Sequence, residues 1–160
     1  MTPVWPDPPL QVVLVEPEIP PNTGNIARTC AATGTRLHLV HPLGFDISDK
    51  QVRRAGLDYW PHVDLHEHDS LEQCLDAAGG GQRAWYLSKK AERSLYDARF
   101  QPGDSLVFGP ETRGLPEPLL EKVGAKALRI PMQGDAVRSL NLGNAVAVTL
   151  YEALRQTGSF

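Results

Sequence analysis

No run of eighteen apolar residues occurs in the chain, so no segment reads as a membrane-spanning helix. The opening stretch, Met1 to Pro9, is rich in proline and lacks the basic-then-apolar pattern of a secretory leader. A soluble, cytoplasmic protein with no membrane partner is the expectation. Cysteine is scarce too. Cys30 and Cys74 stand far apart, each in an apolar helical pattern, which favours buried free thiols over a disulfide or a metal pair. A surplus of positive charge is also missing: the formal net charge of −3 excludes a broadly basic surface that coats nucleic acid regardless of sequence. Any RNA contact must be local. The basic spots are Lys50, Arg53 and Arg54, then Lys89, Lys90 and Arg93, then Arg113 and Arg138, each of which also reads as an ordinary solvated face.

The common nucleotide fingerprints are absent: no G-x-G-x-x-G follows a strand and no G-x-x-x-x-G-K-[ST] occurs, which disfavours a dinucleotide dehydrogenase or a P-loop NTPase. His62, His66 and His68 lie close together, but no H-E-x-x-H joins them, so they read as a half-exposed strand edge and no metal is expected. Ser139 has no G-x-S-x-G setting and reads as the N-cap of the last helix more readily than as a nucleophile.

What is present suits one α/β domain. The 160 residues, 41% apolar and 22% charged, suffice for one sizeable core. We expect a flexible Pro-rich segment over 1–9 and a single domain over 10–160. Leu10 to Val15 reads as a buried strand, followed by a helix capped by Asn22 that runs from Thr23 to Thr33 and stops at Gly34. Strands are expected at Leu37–Val40, Val63–Leu65, Ala84–Leu87, Leu106–Phe108 and Leu128–Ile130. Helices are expected at Ser48 or Asp49 to Gly56, Ser70–Ala78 and Pro116–Val123. In the last helix, Asn141 to Arg155, a stripe of Leu142, Ala145, Val146, Thr149, Leu150, Ala153 and Leu154 marks one buried face. Ala147, Val148 and Tyr151 lie off it and point to a second burial, either a dimer interface or a deeper core. The alternation predicts a mostly parallel sheet with helices on both faces, its ligands bound at the carboxyl ends of the strands.

Three segments that follow strands and open helices stand out: N-T-G-N-I-A-R at 22–28, F-G-P-E-T-R-G-L-P at 108–116, and I-P-M at 130–132 leading to R-S-L-N-L-G-N-A-V at 138–146. Such loops offer free backbone groups near a helix N-terminus, and glycine admits close approach. In sequence, order and separation they resemble the three motifs of the SpoU branch of the SPOUT RNA methyltransferases, over nearly the whole chain after Pro9. E-P-E-I-P-P-N-T-G-N at 16–25 and R-R-A-G-L-D-Y-W at 53–60 look further like the minimal subgroup that methylates the wobble nucleotide, position 34, of tRNA. Two departures are modest: Gly143 stands where many relatives carry serine, and the Met132–Ser139 loop is one residue longer than in some.

The resemblance implies a C-terminal deep trefoil knot, which periodicity would never yield, and a homodimer in which the first and last helices pack across the interface. It implies S-adenosylmethionine as methyl donor and the tRNA anticodon loop as substrate. Leu87, Gly109, Ile130, Met132 and Ser139 would surround the donor, with Gly109 sparing space for it. Arg28 would act at the ribose 2′-hydroxyl, as a base or as an orienting cation, with Glu111, Ser139 and Asn141 completing the catalytic set. Arg53, Arg54 and Arg138 would contact RNA. Two other readings remain: a SpoU enzyme for another tRNA or rRNA position, and a non-catalytic RNA-binding dimer.

Overall fold

The structure, a computed structural model, describes residues 2–48, 50, 54 and 59–160. Its strands are β1 (Gln11–Val15), β2 (Arg36–Val40), β3 (Leu65–His68), β4 (Ala84–Leu87), β5 (Arg93–Ser94), β6 (Ser105–Phe108) and β7 (Ala127–Arg129). Its helices are α1 (Pro20–Thr33), α2 (Leu71–Ala77), α3 (Glu117–Val123) and α4 (Leu142–Thr157). The strands form one sheet in the order β3-β2-β1-β6-β4-β7-β5, with every described pairing within it parallel.

Residues alternate across each strand, so β1 sends Val12 and Leu14 to one face and Val13 and Val15 to the other. The first face packs on Ile26, Ala27 and Cys30 of α1 and on Val146, Leu150 and Ala153 of α4. The second packs on Cys74 of α2 and on Leu119, Leu120 and Val123 of α3. Covered on both sides, the central strands read as continuous apolar runs. Residues 2–9, expected to be flexible, are tied to the C-terminus: Val4 N–H donates to the Ser159 carbonyl at 2.7 Å, and Trp5 meets Phe160 edge-on at 4.9 Å.

Several boundaries differ from expectation for identifiable reasons. Helix α1 starts earlier, because Pro20 and Pro21 occupy its first turn, where a missing N–H costs nothing. Asn22 is therefore buried inside the helix and does not cap it. The last helix is capped by Asn141, whose Oδ1 accepts from Asn144 N–H at 3.3 Å, and not by Ser139. Strand β3 begins at Leu65, since Trp60–His62 forms a 3-10 turn before it. The two-residue edge strand β5 is too short to show periodicity. The basic helix expected up to Gly56 falls mostly outside the described residues.

The histidine grouping also changes. His62 is exposed, and His66 and His68 instead stack on the buried His38 of β2, with ring centroids 5.2 and 5.1 Å away. The protons can be placed. Gln11 Nε2 donates to the carbonyls of Ala78 (2.8 Å) and Gly103 (3.2 Å), which leaves its Oε1 to accept from His38 Nε2 at 2.7 Å. His38 Nδ1 is then a lone pair and accepts from His68 Nε2 at 2.8 Å. Burial first, and then the neighbouring His68, His66 and Arg36, hold His38 down to about 4. The Cys74 thiol completes a set of potential metal-ligating atoms within 4.8 Å of one another. Both His38 nitrogens are already committed to hydrogen bonds, so the cluster reads as a satisfied polar plug between β2, β3 and α2.

Candidate active site

β6, β4 and β7 are neighbours in the sheet, so the loops leaving their carboxyl ends converge. Between them lies a cavity of about 640 Å³, walled by Ser88–Lys90 after β4, Gly109–Leu115 after β6, Ile130, Met132 and Ser139–Leu142 after β7, and closed by Ile19 and Asn22 at the start of α1. That volume falls within the roughly 300–1,000 Å³ of small-molecule sites. Leu87, Gly109, Ile130, Met132 and Ser139, the residues expected around a donor, all line it, as do Glu111 and Asn141.

Glu111 holds the first motif to the second. Its carboxylate accepts from the backbone N–H of Glu18 (2.9 Å) and Ile19 (2.7 Å) and from Asn22 Nδ2 (3.2 Å). These are donors at the N-terminus of α1, which has no side-chain cap of its own. Glu18 returns the contact, accepting from Thr112 N–H at 2.9 Å and its hydroxyl at 2.7 Å. Those bonds hold the Glu18 carboxyl below its ordinary range. Asn141 Nδ2 donates to Asn22 Oδ1 at 3.1 Å and so ties the third motif to the first. Two motif residues thus cap helices while joining the three loops.

Gly109 is needed for a reason other than the one expected. A Cβ there would lie 2.4 Å from Gly114 C and Leu115 N, so the loop's own backbone, and not a ligand, occupies the space.

Arg28 stands apart from the cavity wall. It is exposed on α1, with its guanidinium over the Tyr59 ring at 4.8 Å. Of the basic spots, Lys89 and Lys90 line the cavity, and Lys90 pairs with Glu117 at 3.0 Å. Arg113 also lines it and reaches Glu16 at 3.2 Å. Arg93 is structural, donating to the Ala125 and Asp97 carbonyls. Lys50, Arg54 and Arg138 are exposed, and Arg53 lies outside the described residues. Sequence reasoning did not single out Ile19, Leu140, Leu142 and Ala145 as wall residues, although each lies inside a quoted motif stretch, because a hydrophobic residue there reads equally as core.

The geometry is a parallel-sheet ligand site built by three mutually bonded loops, and a family model describing the SpoU rRNA methylase family matches residues 9–151. The chain belongs to that family. This SpoU family member is 53% identical to the tRNA (cytidine(34)-2′-O)-methyltransferase of Methylovorus glucosotrophus, over 91% of this chain and 94% of that one. It is 49% identical to the enzyme of the same name from Yersinia pestis, over 93% and 94%. A solved structure described as "Structural insights into the 2-OH methylation of C/U34 on tRNA" shares 56% identity at a TM-score of 0.85, over 92% of this chain and 95% of that chain. The SpoU methyltransferase AviRb from Streptomyces viridochromogenes, solved in complex with the cofactor AdoMet, shares 27% identity at a TM-score of 0.74, over 91% and 59%.

Proposed function

We propose that this chain is a tRNA 2′-O-methyltransferase that uses S-adenosylmethionine to modify the ribose of the wobble nucleotide, a cytidine or modified uridine at position 34. The observation that carries the reading is the cavity at the ends of β4, β6 and β7, walled by the three motif loops, in a chain about half identical along nine-tenths of its length to enzymes of that name.

The wall fits the donor. Leu87, Ile130, Leu142 and Ala145 offer apolar surface for a purine and the methylene groups of the methionine part, and the loop backbones offer hydrogen bonds. When bound, S-adenosylmethionine supplies a methyl group made electrophilic by its sulfonium. The residues of the chain orient and stabilise. Glu111 and Asn141 keep the loops in register, and Ser139 lends a hydroxyl at the rim of the cavity. The guanidinium of Arg28 orients a substrate phosphate and stabilises negative charge developing on the 2′-oxygen as the methyl passes from sulfur to oxygen and the hydroxyl proton is released to solvent water. Arg54 and Arg138, with Arg53, supply local charge for the anticodon loop, whose unpaired bases are open to direct contact.

The deep trefoil knot of the family is supported by the family match over residues 9–151 and by the meeting of the loops after β6 and β7 at one cavity. A homodimer is supported by α4. In the single chain, Val148 and Tyr151 remain 38% and 54% exposed, so the deeper core weighed as their alternative cover does not exist among the described residues. Among those residues no helix is long and apolar enough to cross a membrane, which suits work on tRNA in the cytoplasm.

The test is transfer of labelled methyl from S-adenosylmethionine to total tRNA lacking the wobble modification, followed by nuclease mapping. Label on the ribose of nucleotide 34 is expected. Label elsewhere would move the site within the family, and donor binding without label on any RNA would end the tRNA assignment.

A further inference from the structure

We propose that Tyr59 is the positioning residue for Arg28, holding the guanidinium by a cation–π contact that fixes its place and leaves its N–H donors for the RNA. The proposal rests on the reading of Arg28 given above.

Five of the other arginines spend donors on protein, and Arg99, Arg129 and Arg138 have neither such a partner nor an aromatic ring beneath them among the described residues. Arg36 pairs with Asp64, Arg83 with Asp104, Arg113 with Glu16 and Arg155 with Glu152. Arg93 also lies over a ring, that of Trp85 at 5.5 Å, but its donors go to two backbone carbonyls. Arg28 differs from all of these. Among the described residues it makes no ion pair and no hydrogen bond, and its guanidinium carbon sits 4.8 Å from the centre of the Tyr59 ring. That is well inside the roughly 6 Å reach of a cation–π contact. A carboxylate in the same place would hold the arginine equally well, but would neutralise it and occupy the planar fork of donors that grips a phosphate. An aromatic face attracts the charge and accepts none of those hydrogen bonds.

The ring is itself anchored. The Tyr59 carbonyl accepts from His62 N–H at 2.8 Å, which starts the 3-10 turn, and the adjoining Trp60 packs on the core face shared by α1 and α4. The helix supplies Arg28 and the turn supplies its platform, thirty-one residues further along the sequence. Without the platform, a long exposed side chain samples many rotamers, and the reacting geometry is populated less often.

The experiment is single-turnover methyl transfer to unmodified tRNA by the full chain, with donor affinity measured by calorimetry, for Tyr59→Phe, Tyr59→Leu, Arg28→Ala and the Tyr59→Leu/Arg28→Ala double variant. Tyr59→Phe is expected within about twofold of the parent rate, and Tyr59→Leu slower by roughly three- to thirtyfold with donor affinity unchanged. In the Arg28→Ala background, followed at its residual single-turnover rate, Tyr59→Leu is expected to cost nothing further, which a merely structural role would not produce. Should the leucine variant melt early, Tyr59→pentafluorophenylalanine keeps the shape and reverses the ring quadrupole, and must be slow. Parent-rate transfer by Tyr59→Leu beside a strongly slowed Arg28→Ala overturns the Tyr59 proposal alone, as does a Phe variant as slow as the Leu variant. Full activity in Arg28→Ala overturns the reading of Arg28 and the proposal with it.

Discussion

Replacing Glu111 by glutamine removes the charge that bridges the first and second motifs, and its cost can be worked from the contacts. The carboxylate accepts from two backbone N–H groups and one side-chain amide, with both oxygens used. Glutamine has a single acceptor oxygen, so one N–H is left facing an NH₂ group. A fully buried charge-assisted bond would be worth about 1.5–3 kcal/mol. Here Ile19 is 41% exposed and water can replace part of the loss, so the expected destabilisation is that of a lost helix cap, about 1–2 kcal/mol. In a domain of this size that lowers Tm by roughly 2–8 °C. The reciprocal Thr112–Glu18 contact keeps the loop from collapsing altogether, but Ile19, Glu111 and Thr112 all border the cavity. Ordering that wall at the moment of binding should cost about 1 kcal/mol, or roughly fivefold in Kd for S-adenosylmethionine. Scanning calorimetry and titration calorimetry on Glu111→Gln read the two effects. A variant with Tm within about 1 °C of the parent and unaltered donor affinity would refute the clamp.

Gly109→Ala should be far worse than its one methyl suggests, because the added Cβ lies 2.4 Å from backbone that cannot swing aside; donor binding by calorimetry should disappear even where the chain remains soluble. His38 gives a pH dependence of stability. Its folded value of about 4 lies below its ordinary 6.5, so the unfolded chain binds more protons between those values. Stability is full above about pH 6.5 and falls as pH drops toward 4, by about 3 kcal/mol for that 2.5-unit gap. Urea unfolding at pH 7 and pH 4.5 measures the slope, which His38→Asn should flatten. Burial pushes the Cys30 and Cys74 thiols up to about 12, so neither should be alkylated in the folded chain at pH 8; mass spectrometry after iodoacetamide should show adducts only in denaturant, and a native adduct would contradict the packing around α1 and α2.

Much of the site was legible before the structure because each motif combines a strand end, a glycine and a helix start. Leu87, Gly109, Ile130, Met132 and Ser139 were all expected near the donor, and all border one cavity. The reason expected for Gly109 was mistaken, since the crowding comes from the residues at 114 and 115, and a one-dimensional reading sees a glycine's freedom but not the chain that passes over it. The histidines show the same limit. His66 and His68 share a strand with period two, whereas their real partner is His38, which parallel pairing of β2 and β3 brings opposite His66.

The sequence by itself determined the α/β layering, the buried stripe of α4 and the end of α1 at Gly34, because each follows from local periodicity or from the conformational preference of one residue type. Only the tertiary structure decided that Glu111 caps a helix some ninety residues away, that Asn141 and not Ser139 begins the last helix while holding Asn22, and that Arg28 rests on Tyr59. Those contacts depend on which strands are neighbours in the sheet, and strand order is set by packing of the whole chain, on which local composition is silent.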